Sequence, residues 1–290
     1  MSVGSMFGRF HSNIYMDSST VEKVKLRYKA ITKRINMEYW SSESETNNSL
    51  YVGSYGRGTE IYTSDIDIIV RLPWTTKERF DNRSGNVQSQ LLTEVKEKLI
   101  KTYSTSHISS DGQVVVIAFS DGIRYEIVPT FMYESEKFCY PDTNDGGSWK
   151  IMDPKKEMES FNLRHRIHNY TMKKLCRMIR CWKETNSITI SGELIDSIVY
   201  HFYSSADYVD ENPFIYFDWI TRDFFKYLSD NTHNVWYTPG SYRPLNLKYP
   251  YSTASKAYEA YSRSLEAIKY GDEQPYSAMM KWRDIYGNNI

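Results

Sequence analysis

A turn of small residues and a pair of alternating carboxylates lie close together near the start of this chain. The turn is Gly53-Ser54-Tyr55-Gly56-Arg57-Gly58-Thr59, and Ser64-Asp65-Ile66-Asp67-Ile68 follows it. Side chains at positions i and i+2 of a β-strand point to the same face, so Asp65 and Asp67 would project together. Ile66 and Ile68 would then pack on the opposite face.

Two neighbouring carboxylates repel each other unless a cation lies between them. Mg2+ suits oxygen ligands of this kind and usually completes its shell with water and phosphate oxygens. Gly53 and Ser54 would bring backbone N–H groups and a hydroxyl close to those phosphates. The pattern therefore predicts a nucleotidyl-transfer site in which Asp65 and Asp67 bind metal. A solvated strand edge is the simpler alternative for an Asp-x-Asp string alone.

A third carboxylate is predicted on a later strand. Residues 113–119 form an apolar run of strand length, and Asp121-Gly122 is a hairpin signal before residues 123–129. Glu126 is the only acid in this second run, with Tyr125 and Ile127 expected on the opposite face. Glu126 would help to bind one metal ion and accept the proton of an attacking hydroxyl.

These motifs resemble the polymerase-beta-like nucleotidyltransferase superfamily. They consist of Gly53-Ser54, ten intervening residues, Asp65-Ile66-Asp67, and then Tyr125-Glu126-Ile127-Val128-Pro129. Within that superfamily the chain is similar to the bacterial CD-NTases (cGAS/DncV-like nucleotidyltransferases). The form of the turn, the chain length and the segment from Leu175 to Lys183 all fit that group. Glu126 stands where aspartate is commoner in the superfamily.

The resemblance implies an enzyme that joins nucleoside triphosphates into a cyclic di- or trinucleotide second messenger and releases pyrophosphate. It further implies two Mg2+ ions, with Mn2+ as a substitute, and a role in antiphage (CBASS-type) signalling. Two alternatives remain open. The chain would be an RNA-extending or small-molecule nucleotidyltransferase, or a non-catalytic nucleotide-binding sensor. The three predicted carboxylates weigh against the sensor.

The pattern of the elements predicts an α+β fold of the polymerase-beta-like type. A capping-box signal at Ser19-Thr20-Val21-Glu22 precedes a long amphipathic helix that ends near Trp40, and Leu91, Val95 and Leu99 mark another helix. Asp153-Pro154 opens a mostly helical region, with one helix or two expected over 156–183 and further helices over 193–203, 213–228 and 254–270. We expect a core lobe with a mixed sheet over 1–153, a helical lobe over 154–290, and the active site in the cleft between them.

A basic segment in the helical region suggests how the nucleotide is held. Lys173, Arg177 and Arg180 follow at i, i+4 and i+7, so they share one helix face. That face would either be solvated or hold the triphosphate, and the resemblance to oligoadenylate synthases matches Arg180 to a triphosphate-binding lysine. Ser191 resembles a phosphate-contacting serine of the family, with a plain N-cap as the alternative. Asn169, expected on the preceding helix, would read a base edge or be an ordinary surface residue.

Composition limits the partners and the location. Lys and Arg total 36, as do Asp and Glu, whereas proteins that grip long nucleic acids usually carry a basic excess. The chain also lacks the zinc insertion with which cyclic GMP-AMP synthase grips DNA, so duplex DNA is not an expected partner and RNA extension is disfavoured. A regulatory protein partner is an expectation instead. Three scattered cysteines, no signal-peptide pattern and no membrane-spanning apolar run favour the cytoplasm.

Overall fold

The computed structural model describes residues 2–205 and 214–290. Its helices are α1 (Val3–Ile14), α2 (Ser18–Trp40), α3 (Gly53–Arg57), α4 (Trp74–Asp81), α5 (Val87–Ile100), α6 (Pro154–Ile167), α7 (Met172–Thr185), α8 (Gly192–Ser205), α9 (Phe217–Asp230), α10 (Pro250–Tyr270) and α11 (Pro275–Tyr286). Its strands are β1 (Ser49–Tyr51), β2 (Ile66–Leu72), β3 (His107–Asp111), β4 (Val114–Ala118), β5 (Arg124–Met132), β6 (Phe138–Asp142), β7 (Ser148–Met152), β8 (Val235–Tyr237) and β9 (Pro244–Asn246).

The chain divides into two compact units. The sheet unit comprises Asp17–Arg57 and Thr63–Lys155, and the helical unit comprises Met1–Met16, Gly58–Tyr62 and Lys156–Ile290. The boundary after Lys155 lies close to the expected boundary after residue 153. The first 16 residues were expected in the core lobe, but they group with the helical unit because Phe7 and Phe10 of α1 are buried in that unit's core.

The sheet unit is built on one mixed sheet. Its strand order is β1-β2-β5-β4-β3, with β6 paired to β5 and β7 paired to β6. The central pair β2 and β5 is parallel, and the other pairs are antiparallel. Helices α2 and α5 bury apolar residues in this unit, among them Val24, Ile31, Ile35, Leu91, Val95 and Leu99. The predicted α+β fold class is confirmed.

Helix α2 begins earlier than its predicted capping box. Asp17 is the N-cap, and its carboxylate accepts a hydrogen bond from the Thr20 backbone N–H at 3.0 Å. Asp17 therefore caps the helix in place of Ser19, which the capping-box pattern had indicated as the N-cap. The helix ends at Trp40 as expected, where Ser41 adopts a left-handed conformation.

The helical unit is organised around α7, which is buried along most of its length. Leu175, Ile179 and Trp182 are each at most 1% exposed. Trp282 of α11 and Phe224 of α9 belong to the same core. Among the residues that the structure describes, no helix is both long and apolar enough to cross a bilayer.

Sequence patterns located most of these helices but missed others. The helical stretch over 156–183 is two helices, separated by residues 168–171, where Asn169 and Tyr170 have positive φ angles of 45° and 61°. The helix expected over 213–228 begins at Phe217, and its expected start, Pro213, lies outside the described residues. Helices α1, α3, α4 and α11 and strands β3, β6, β7, β8 and β9 were not expected, and α3 lies in the segment predicted as a turn.

Candidate active site

Asp67 and Glu126 lie side by side on the two central strands. Asp67 of β2 is the register partner of Glu126 of β5, and the strands are parallel. Paired residues on adjacent strands project to the same face of a sheet. The flanking residues Ile66, Ile68, Tyr125 and Ile127 are fully buried on the other face. The Tyr125 hydroxyl donates a hydrogen bond to the Val24 carbonyl of α2, so the two acids project from the face opposite that helix.

Asp65 lies just before β2, and Arg124 connects it to Glu126. The Arg124 guanidinium is 3.0 Å from Glu126 Oε1 through Nη2 and 3.9 Å from Asp65 Oδ2 through Nε. Partial burial raises the pKa of the Asp65 carboxyl, and the charge of Arg124 offsets part of that rise. A cationic side chain thus screens the repulsion between two of the three carboxylates.

The oxygen chemistry of the three acids suits Mg2+, and two of them, Asp67 and Glu126, are register partners on adjacent strands. Carboxylate oxygens are the ligands that Mg2+ prefers, and it commonly takes only one or two of them from a protein. In the described part of the chain, no three His, Cys, Asp or Glu side chains are gathered as a ready metal site. Arg124 contacts Asp65 and Glu126 in this structure. The metal role of Asp65, Asp67 and Glu126 stays a prediction.

The glycine turn is packed directly against Asp67. Gly53 has a φ of 59°, and a Cβ atom built on it would lie 1.8 Å from Asp67 Oδ2. The Val52 backbone N–H donates to the Asp67 carbonyl at 2.9 Å, which fixes this approach. Ser54 follows at the start of α3 and is only 7% exposed. Glycine is therefore required at position 53 for two reasons, the positive φ and the closeness of the carboxylate.

Arg177 and Arg180 share a face of α7 as expected, but both guanidinium groups are buried inside the helical unit. Arg180 donates from Nη2 to Asp196 Oδ2 at 2.7 Å and to the Gly192 carbonyl at 2.9 Å. Arg177 donates to the Glu60 carbonyl at 3.0 Å and to the Tyr15 hydroxyl at 2.8 Å. The solvated-face alternative is therefore wrong for these two residues. Their role at a triphosphate stays a prediction, although their visible bonds are internal.

Lys173 differs from the two arginines on its face because it is only half-buried. Its Nζ donates to Asn162 Oδ1 at 2.7 Å, and a Cβ on Gly58 would lie 3.4 Å from Nζ. Burial lowers the pKa of the Lys173 ammonium, and the nearby charge of Arg177 lowers it further. Of the three basic residues, Lys173 has the side chain most accessible to a ligand.

The other two predicted nucleotide contacts have local roles in the structure. Ser191 Oγ accepts a hydrogen bond from the Leu194 backbone N–H at 3.2 Å, which is the N-cap arrangement. Asn169 is not on a helix: it lies in the turn between α6 and α7, where its backbone N–H donates to the Arg166 carbonyl at 3.3 Å. Its left-handed φ of 45° explains the error, because asparagine tolerates the conformation that ends a helix.

Sequence reasoning missed Arg124 and the partners of Arg180. Arg124 is two residues before Glu126, so the alternation rule that placed the acids would also have placed Arg124 on their face. Asp196 and Thr59 carried no local signal. Thr59 Oγ1 donates to Asp196 Oδ2 at 2.8 Å across 137 positions of sequence, a pairing that only the fold reveals.

Comparison with known proteins identifies the family of the chain. The sequence model of the Second Messenger Oligonucleotide or Dinucleotide Synthetase domain (SMODS) matches residues 1–164. A probable cyclic nucleotide synthase of Bacillus cereus strain VD146 is 24% identical over 253 residues, which cover 81% of this chain and 74% of the relative.

Two solved structures share the fold. Vibrio cholerae DncV, a cyclic AMP-GMP synthase solved with the linear intermediate 5′ pppA(3′,5′)pG, superposes with a TM-score of 0.74 at 12% identity, covering 96% of this chain and 93% of that one. Escherichia coli MS115-1 CdnC, solved in complex with HORMA-deltaN, superposes with a TM-score of 0.71 at 13% identity, covering 98% and 96%. The chain therefore belongs to the SMODS family and is a nucleotidyltransferase of the bacterial CD-NTase group.

Proposed function

We propose that this nucleotidyltransferase joins nucleoside triphosphates and closes the product into a cyclic di- or trinucleotide that acts as a second messenger in antiphage signalling. The observation that supports the chemistry best is the pairing of Asp67 with Glu126 on parallel strands, with Gly53 packed against Asp67. The probable cyclic nucleotide synthase activity of the Bacillus relative and the linear intermediate bound by DncV support the cyclic product.

In this proposal all three acids bind metal, and Glu126 also accepts a proton. Asp65, Asp67 and Glu126 would hold two Mg2+ ions, or Mn2+ in their place, which supply positive charge to the attacking and departing oxygens. Glu126 accepts the proton of a ribose hydroxyl. That oxygen attacks the α-phosphorus of the donor, the bond from this phosphorus to the bridging oxygen breaks, and pyrophosphate leaves. Arg124 holds Glu126 in place through its 3.0 Å contact before the substrates bind.

We predict that the glycine turn binds the donor triphosphate, and the basic residues of α7 stay predicted phosphate contacts. Gly53 and Ser54 would present backbone N–H groups beside Asp67, and Lys173 would supply a mobile ammonium group. Arg177, Arg180 and Ser191 complete the predicted set, and Asn169 is the predicted base-reading residue. Because Arg177 and Arg180 are already bonded internally, we expect them to stabilise the helical unit more than to touch phosphate.

The regulatory context follows from a relative. CdnC was solved with a HORMA protein, and we propose that a protein partner likewise controls this chain. Duplex DNA is not proposed as an activator, and its lack of effect stays a prediction, as does the cytoplasmic location. A salt-sensitive gel shift with duplex DNA together with increased product would contradict the prediction that duplex DNA has no effect.

The deciding experiment is synthesis from labelled nucleoside triphosphates with Mg2+ or Mn2+, followed by phosphatase digestion. We expect a phosphatase-resistant product from the wild type and none from Asp67→Asn, which keeps the side chain's shape but loses its charge. Asp111→Asn, on the exposed end of β3 in the same sheet, is the matched control and should retain synthesis. A product that loses terminal phosphates to phosphatase and remains a linear oligonucleotide would favour the RNA-extending alternative, because phosphatase does not cleave phosphodiester bonds. Wild-type turnover in Asp67→Asn would contradict the site assignment.

A further inference from the structure

A cavity opens on the sheet face that carries Asp67 and Glu126. It has a volume of about 210 Å3 and lies entirely within the sheet unit. Its apolar lining comes from Leu50, Ile69, Met132 and Phe138, and its charged lining comes from Arg71 and Lys155. Ile69 and Arg71 follow Asp67 at alternate positions of β2, so the three side chains leave the strand on the same face. The Arg71 guanidinium lies 5.2 Å from the centre of the Trp40 ring at the end of α2.

The strand register gives the distance between this cavity and the acids. Strands rise about 3.3 Å per residue, so the Ile69 and Arg71 backbones lie about 7 Å and 13 Å from that of Asp67. Leu50 on β1 is paired with Ile69, and Thr130 on β5 is paired with Arg71. A nucleoside whose ribose hydroxyl lies at Glu126 could therefore extend its base along β2 into the cavity.

The charged groups of the cavity are hydrogen-bond donors held in place. Asn48 Oδ1 accepts from Arg71 Nε at 3.0 Å and also from Nη2, and Asn48 Nδ2 donates to Asn36 Oδ1 at 2.8 Å. Within the described residues, Arg71 Nη1 makes no hydrogen bond. Lys155 is 3.4 Å from the exposed Glu136 and otherwise faces the cavity. No carboxylate is found among the described lining residues.

We propose that this cavity holds the base of the acceptor nucleotide and that Arg71, assisted by Lys155, selects guanine. The inference rests on the proposed function. The volume is below that of sites for drug-sized ligands and suits a single planar base on an apolar floor. Arginine and lysine present only donors, which match the O6 and N7 acceptors of guanine, whereas the N6 amino group of adenine would meet a donor.

The test separates the acceptor from the donor. An α,β-methylene nucleoside triphosphate cannot release pyrophosphate and so serves only as acceptor, while a 2′,3′-dideoxy triphosphate has no hydroxyl and serves only as donor. With dideoxyadenosine triphosphate as donor, we measure the linear dinucleotide formed with each acceptor base. We expect kcat/KM for the guanine acceptor to exceed that for adenine by about five- to a hundredfold. Arg71→Met should bring the guanine value down to the adenine value and leave the latter within about twofold.

Further variants guard against a folding defect and against a general effect of charge. Lys155→Met should reduce the guanine preference without perturbing the Arg71–Asn48 contact, and Lys29→Met on the exposed part of α2 should leave it unchanged. Equal use of guanine and adenine by the wild type, or a preference unaffected by both Arg71→Met and Lys155→Met, would overturn the inference while leaving the proposed function intact. A dependence of the donor-base preference on Arg71 would also overturn the inference and leave the proposed function intact. A wild type that forms no dinucleotide with any acceptor would contradict both this inference and the proposed function.

Discussion

Replacing Arg180 with methionine should destabilise the helical unit much more than it alters nucleotide chemistry. The Arg180 side chain is 10% exposed and that of Asp196 only 2%, and their charged atoms are 2.7 Å apart. Methionine keeps the apolar stem of arginine but removes the guanidinium from the Asp196 carboxylate, which also accepts a hydrogen bond from the Thr59 hydroxyl at 2.8 Å. The variant therefore leaves a buried charge without its counter-charge.

The magnitude follows from that geometry. Removing one partner of a buried ion pair typically costs about 3–5 kcal/mol of the free energy of unfolding. The lost contact to the Gly192 carbonyl falls within the same range, because hydrogen bonds and charge pairs in one network do not add independently. For a domain of roughly 150–250 residues, each kcal/mol lowers Tm by about 2–4 °C, so we expect a decrease on the order of 10 °C.

Calorimetry of the wild type and the Arg180→Met variant measures this decrease, with triphosphate affinity determined below the transition. Lys183→Met on the same helix is the control and should melt close to the wild type. The double variant Arg180→Met/Asp196→Leu removes both charges and should recover part of the lost stability, because neither partner is then left buried alone. A change in Tm of less than about 2 °C with a tenfold or greater loss of triphosphate affinity would refute this reasoning and support direct phosphate binding by Arg180.

Three further outcomes are expected at the sites described above. Glu126→Gln should reduce synthesis by orders of magnitude without lowering Tm, because the strand register is kept while the proton acceptor is lost; near-normal rates would place the base elsewhere. Arg124→Met should lower the Mn2+ concentration needed for half-maximal activity by severalfold, since the guanidinium competes with the ion for Asp65 and Glu126. An unchanged Mn2+ concentration would show that the Arg124 guanidinium does not compete with the ion. Burial lowers the pKa of Lys173, so its charge is lost at a lower pH than that of an ordinary lysine, and triphosphate affinity should fall early as the pH is raised. In Lys173→Arg that alkaline decrease should be absent, and its persistence would exclude Lys173 as the titrating group.

The elements that sequence patterns located are those set by local rules. Alternation along a strand placed Asp67 on one face and Ile66 and Ile68 on the other, and the Asp121-Gly122 hairpin signal placed the strand that carries Glu126. These rules need only neighbouring residues. The parallel pairing of β2 with β5 joins positions about sixty residues apart, and the sequence patterns did not predict it.

The elements that were missed depend on distant partners. Helical spacing showed that Arg177 and Arg180 share a face but gave no sign of what covers that face. The answer lies in Thr59, which donates to the same carboxylate that binds Arg180, and in Glu60, whose carbonyl accepts from Arg177. Strand β6 contains Pro141, which lowers strand propensity, and pairing with β7 overrides that preference.

The contact between Gly53 and Asp67 has a consequence for how substitutions at this site would be tolerated. A single methyl group at position 53 would meet the Asp67 carboxylate at 1.8 Å and displace it without changing any charged residue. A chain with alanine at that position would still show every acidic motif residue in its sequence, yet the carboxylate could not occupy its present position. A sequence search that checks only for the acidic motif residues would not detect this change. The residue at position 53 therefore limits where the Asp67 carboxylate can lie, although it carries no charge itself.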